Sequence, residues 1–213
     1  MTDRQYLIDG PDDAPATIIL AHGAGAPMDS AYMQILAEGI AVHGLRCIRF
    51  EFPYMAERRT RGVKKPPNRM PVLMESWHEV VDAHRGTPLI IGGKSMGGRV
   101  ASMLAAQFDG EGNPVAGLAC LGYPFHPPGK PEKLRLNHFA GLKTPTLILQ
   151  GTRDPFGTPD EISGFLLPPC VEVHWLEDGE HSFKPRKNSG RTEQQNCQEA
   201  IDTLATFSRH CAS

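Results

Sequence analysis

Apolar residues fall into two rhythms along this chain. Short runs that are apolar on both faces and bounded by Gly and Pro occupy residues 16–21, 45–52, 89–91, 115–121, 146–150 and Val171–Leu176. Runs of that kind predict strands buried on both sides. Residues 6–8 form a weaker run that suits an edge strand. Between the runs, apolar positions recur every three or four residues, as helix faces do. Met33, Leu36 and Ile40 precede a stop at Gly44; Leu73, Trp77, Val80 and Val81 precede Gly86; Val100, Met103, Leu104 and Phe108 form a third set. A last helix is expected from Thr192, whose Thr-x-x-Gln to Gln195 resembles a capping box, with Ile201, Leu204 and Phe207 on one face. This alternation predicts an α/β fold: a mostly parallel, doubly wound sheet with helices on both faces. The site of such a sheet lies at the strands' C-terminal ends.

The chain's 213 residues, 40% of them hydrophobic, suffice for one core, so residues 1–213 are expected to form a single domain. A formal charge of −2 provides no field of one sign, which argues against nucleic acid or a membrane surface as partner and for a small-molecule substrate. No apolar run approaches the length of a membrane span and the start is polar, so a cytoplasmic location is expected. The five cysteines are odd in number and show no CxxC pair. Cys47 and Cys120 lie within strand runs, and all five read as reduced and structural. The histidines show no H-E-x-x-H spacing, and His78 and His84 face different ways on their helix, so no metal is expected. One stretch stands apart: residues 57–71 gather Arg58, Arg59, Arg61, Lys64, Lys65 and Arg69 among prolines, and read as a basic loop. Leaving the C-terminal end of a strand, it would hang near the site, where Arg58, Arg59 or Lys64 would receive a substrate carboxylate or phosphate.

The strongest chemical signal is Gly93-Lys94-Ser95-Met96-Gly97, a G-x-S-x-G set between an apolar strand and an amphipathic helix. A serine on so sharp a turn is strained and exposed, and small flanking residues let strand and helix approach. Gly-Lys-Ser also ends a phosphate-binding G-x-x-x-x-G-K-[ST] loop, but the first glycine of that motif would fall at Pro88 and its cradle on the strand residues Leu89, Ile90 and Ile91. A serine nucleophile needs a base, held in the right tautomer by a carboxylate. Asp154 follows the strand at 146–150 and His181 follows the strand Val171–Leu176, so both emerge at the same sheet edge as Ser95. Asp178 or Asp160 competes for the acid's place and His174 or His22 for the base's. The attack's oxyanion needs two donors. The Met96 amide, next to the nucleophile, is one; His22-Gly23-Ala24-Gly25 after the first long strand offers the Ala24 amide as the other. A dinucleotide fingerprint fails there, because its third glycine would be Met28.

This set, together with the segment from Leu142 through Asp154, resembles the α/β-hydrolase superfamily in its compact, cap-less, dienelactone-hydrolase-like and carboxylesterase-like branch. The resemblance implies an eight-stranded or slightly trimmed sheet, a triad of Ser95, Asp154 and His181, and no metal or organic cofactor. It implies acyl transfer to water from a small carboxylic ester or thioester. The short segment 123–145, where larger relatives insert a cap, implies an open site suited to small acyl groups. Lys94 departs from the pattern, since an uncharged residue or histidine usually precedes the nucleophile. A cation there either favours an anionic substrate or pairs with a structural carboxylate. The alternatives are a catalytically silent binding or scaffold protein on the same fold, and an acyltransferase using the same three residues.

Overall fold

A computed structural model describes residues 4–213. Seven strands form one sheet: β1 (Tyr6–Asp9), β2 (Thr17–Ala21), β3 (Arg46–Phe50), β4 (Leu89–Lys94), β5 (Gly117–Leu121), β6 (Thr146–Gly151) and β7 (Val171–Leu176). Their order is β1-β3-β2-β4-β5-β6-β7. Only the edge strand β1 runs antiparallel, Tyr6 pairing with Phe50 and Asp9 with Cys47. The helices are α1 (Ala31–Val42), α2 (Pro53–Arg61), α3 (Met70–Ala83), α4 (Met96–Glu111), α5 (Pro159–Ile162) and α6 (Glu193–Ala212).

Consecutive strand residues point to opposite faces, and the core divides accordingly. Ile19, Ile91 and Ile148 join Trp77 and Leu104 under α3 and α4. Their neighbours Ile18, Ile90 and Leu149 join Leu36 and Leu204 under α1 and α6. Because both faces must be apolar, the strands read as unbroken apolar runs. Between β5 and β6 the chain forms only a 3-10 turn, Asn137–Gly141, and no cap. Among the described residues, no helix is long and apolar enough to cross a membrane.

Two expectations change. Strand β4 runs on to Lys94 rather than ending at 91, because Gly92, Gly93 and Lys94 keep pairing with Ala119, Cys120 and Leu121 of β5. Backbone pairing leaves no side-chain signal where the residues are glycines. The basic stretch is not a loop throughout. Its first part lies in α2, which opens on Pro53, buries only Tyr54 and Met55, and ends at Gly62 in the left-handed region. Arg58, Arg59 and Arg61 sit in its last turn, where cations offset the helix dipole. With two apolar residues on its buried face, α2 has too short a pattern to be read from periodicity.

Candidate active site

Strand β4 delivers Ser95 to the N-terminus of α4 with φ 51° and ψ −113°. This conformation is unfavourable for a residue with a Cβ and persists only where the surroundings enforce it. Here the enforcement is close packing. A Cβ at Gly93, itself at φ +153°, would lie 2.2 Å from the Ala21 carbonyl oxygen, and one at Gly97 would lie 2.6 Å from the carbonyl oxygens of Ala21 and His22. The Ser95 amide donates to the Leu121 carbonyl at 2.9 Å and the Ser95 carbonyl accepts from the Arg99 amide at 3.0 Å. The side chain does not cap the helix, and the residue is part-exposed.

Asp154 and His181 come together at the same edge of the sheet. Asp154 is fully buried and its Oδ2 accepts from His181 Nδ1 at 2.8 Å. Oδ2 also accepts from Gln150 Nε2 at 2.9 Å, and Oδ1 accepts from the Phe156 amide at 2.9 Å. These donors hold the carboxylate in one rotamer, and its bond to Nδ1–H leaves the Nε2 lone pair of a neutral imidazole outward. The Phe156 ring lies 4.3 Å from that of His181, centroid to centroid. A Cβ at Gly122, next to the Leu121 carbonyl that holds Ser95, would sit 3.2 Å from His181 Nδ1. The three residues therefore converge on the same end of β4, β5 and β6, although the Ser95 hydroxyl has no hydrogen-bond partner among the described residues.

The loop after β2 is held by side-chain bonds to its carbonyls. His22 Nδ1–H donates to the Gly23 carbonyl at 2.6 Å while its Nε2 accepts from the Phe52 amide at 3.1 Å. Burial lowers the His22 pKa, which suits a neutral ring bonded on both sides. The Tyr54 hydroxyl reaches the Gly23 and Ala24 carbonyls at 3.3 and 3.0 Å. In a planar trans peptide, N–H and C=O point in opposite directions. Holding the Gly23 carbonyl on the His22 and Tyr54 side thus turns the Ala24 N–H the other way. The Met96 N–H, at the first position of α4, has no partner within the helix.

The sequence matches a family model described as an alpha/beta hydrolase domain over residues 14–209. This chain belongs to the α/β-hydrolase family. Solved structures agree at the level of the fold. A dienelactone hydrolase from Anabaena variabilis shares 18% identity over 97% of this chain and 91% of its own, with a TM-score of 0.69. A serine hydrolase without lid from Xanthomonas campestris shares 18% over 99% and 95%, at 0.66. An alpha-beta serine hydrolase homologue from Coxiella burnetii shares 20% over 94% and 89%, at 0.62.

Other polar residues of this α/β-hydrolase are placed elsewhere. Asp178 is held by Arg153 and Arg186, His174 pairs with Glu199 of α6, and Asp160 stands exposed in α5. Of the basic residues, Arg59 is gripped by Asp29 at 2.8 Å and by the buried Glu51 at 2.7 Å. It lines a cleft of about 380 Å³ with Arg4, Met28 and Glu51 that includes neither Ser95 nor His181. Arg58 points its guanidinium at the Gly25 carbonyl, 3.5 Å away, and Lys64 lies exposed beyond α2. Lys94 forms no ion pair with a carboxylate among the described residues. Its ammonium is buried, donates to the His181 carbonyl oxygen and lies 5.6 Å from the centroid of the Tyr32 ring. Among the described residues no three His, Cys, Asp or Glu side chains converge as metal ligands. The sequence reading overlooked Gln150, Tyr54 and Phe156. Gln150 alone left a trace, as a polar residue closing an apolar strand; Tyr54 and Phe156 act through contacts that only the fold creates.

Proposed function

We propose that this chain is a serine hydrolase that cleaves small carboxylic esters or thioesters through an acyl-enzyme on Ser95. The observation that carries the reading is the 2.8 Å bond from His181 Nδ1 to buried Asp154, formed beside a serine held in a strained turn. His181 Nε2 takes the Ser95 proton as Oγ bonds to the substrate carbonyl carbon, and Asp154 stabilises the resulting imidazolium. The carbonyl oxygen becomes an oxyanion that accepts from the Ala24 and Met96 amides; one such donor is worth about 10² to 10³ in rate. Collapse breaks the bond to the alkoxide or thiolate, which leaves with the proton from His181. Water then repeats the sequence, its proton passing to His181 and on to Ser95 as the acid is released. The short β5–β6 segment favours small acyl groups, since no lid encloses a long chain.

The test is labelling with a fluorophosphonate followed by peptide mass mapping, comparing the wild type with Ser95→Ala and His181→Ala. One adduct, on Ser95 and lost in both variants, is the expected result; a folded wild type that takes no label overturns the reading in favour of a scaffold.

A further inference from the structure

Most arginines among the described residues are paired. Among the described residues, nine form ion pairs with carboxylates. Of the others, Arg58 and Arg209 donate to main-chain carbonyls and Arg69 is exposed, whereas Arg99 and Arg135 are half-buried and form no ion pair. Arg99 Nε is shut off from solvent with no hydrogen-bond partner. Arg135, in the segment between β5 and β6, has its pKa lowered first by burial and then by the charge of Arg99. The same Arg99 charge helps to lower the pKa of His138. Neither charge is cancelled by an ion pair among the described residues. Two guanidinium groups taken partly from water beside each other are each unfavourable, and an anion between them removes both penalties.

The pair is also held in place and near the chemistry. Arg99 lies one turn of α4 beyond Ser95 and on the same face, since residues four apart are neighbours on a helix. Arg135 is fixed by its main chain: its amide donates to the Phe125 carbonyl at 2.8 Å and its carbonyl accepts from the Tyr123 hydroxyl at 2.8 Å. Tyr123 and Phe125 follow β5 directly, where Gly122 adjoins His181. His138 is placed to be a neutral neighbour. The Ser102 hydroxyl donates to the Arg99 carbonyl at 2.8 Å and so accepts from His138 Nε2–H at 2.7 Å.

We propose that Arg99 and Arg135 form an anion subsite that takes a carboxylate carried by the acyl part of the substrate. Guanidinium groups match a carboxylate with two parallel N–H bonds. One helical turn is ~5.4 Å, so the carboxylate stands roughly three to five bonds from the carbonyl that Ser95 attacks, as in a monoester of a short dicarboxylic acid. The inference rests on the hydrolase reading and specifies its substrate.

The test compares 4-nitrophenyl hemiglutarate with 4-nitrophenyl valerate, which share acyl length and differ in charge. In Arg99→Gln and Arg135→Gln, the ratio of kcat/KM for the charged over the neutral ester falls by about tenfold or more, through KM, and Arg135→Lys restores part of it. An unchanged ratio in both glutamine variants overturns the subsite. If the wild type cleaves neither ester and Ser95 takes no fluorophosphonate, the hydrolase reading falls, and calorimetric titration with glutarate decides the subsite alone. Binding that the double glutamine variant loses upholds it, whereas a wild type that binds no glutarate overturns it.

Discussion

At the scale of single residues, Lys94 links the strand that delivers Ser95 to the loop that carries His181. The residue is 9% exposed and burial, ahead of the opposing pull of Asp154 and Glu180, brings its pKa down to about 8. In the unfolded chain an ordinary lysine keeps its proton up to about 10.4. Below pH 8 both states are charged and the folded state bears the full penalty. Between pH 8 and 10.4 the folded state sheds the proton first, so stability rises with pH through that window. Lys94→Met is accordingly expected to be more stable than the wild type at pH 7 by about 1–3 kcal/mol and to lose that alkaline rise. Its kcat on a short ester should fall, since the His181 carbonyl then lacks its donor. Urea melts across pH with parallel kinetics check this; a less stable variant of undiminished kcat would contradict the clamp. The charge at 94 was legible in the sequence. Its partner, 87 positions away, was not, because the contact depends on where the loop after β7 lands.

At the scale of elements, α6 positions the loop that carries His181. Its start is capped reciprocally, Thr192 Oγ accepting from the Gln195 amide at 3.1 Å and Gln195 Oε1 from the Thr192 amide at 2.8 Å. One turn on, Asn196 Nδ2 donates to the Glu177 and Phe183 carbonyls at 3.0 and 2.8 Å, bracketing the loop around His181. The two contributions separate by mutation. Thr192→Ala loses a cap and should cost about 1 kcal/mol in a thermal melt with kcat unchanged. Asn196→Ala leaves two carbonyls without a donor and should cost about 1–3 kcal/mol, with lower kcat and faster amide exchange over 177–184. Equal kinetics in both variants would show that the loop holds itself. The capping box was readable because it is local, two residue types three apart. The role of Asn196 was not, since its acceptors are main-chain atoms of a different segment. Helix α2 escaped for a related reason: its buried face consists of Tyr54 and Met55 alone, adjacent residues that make no periodic stripe.

At the scale of the whole molecule, His138 joins the β5–β6 segment to α4. Burial, aided by Arg99, brings its pKa to about 4, against about 6.5 when unfolded. Its contribution is fully present above pH 6.5 and is lost as pH falls through 4, because the unfolded chain takes up a proton that the folded one refuses. Stability should drop by about 1–2 kcal/mol across that range, the side chain being partly solvated. His138→Gln should flatten the drop in denaturant melts at pH 4 to 7; an identical slope would place the acid sensitivity elsewhere. The sequence by itself determined the strands, their alternation with helices and the residues that follow their C-terminal ends, because apolar periodicity, glycines around a serine and the place of Asp154 and His181 after strands are local or ordinal properties. Only the tertiary structure decided which charges are spent. Arg59 is neutralised by Asp29 and Glu51, Lys94 is bound to a main-chain oxygen, and Arg99 and Arg135 remain without a carboxylate. A charge is cancelled by whatever lies within a few ångströms in space, and in a parallel sheet those neighbours come from segments far apart along the chain.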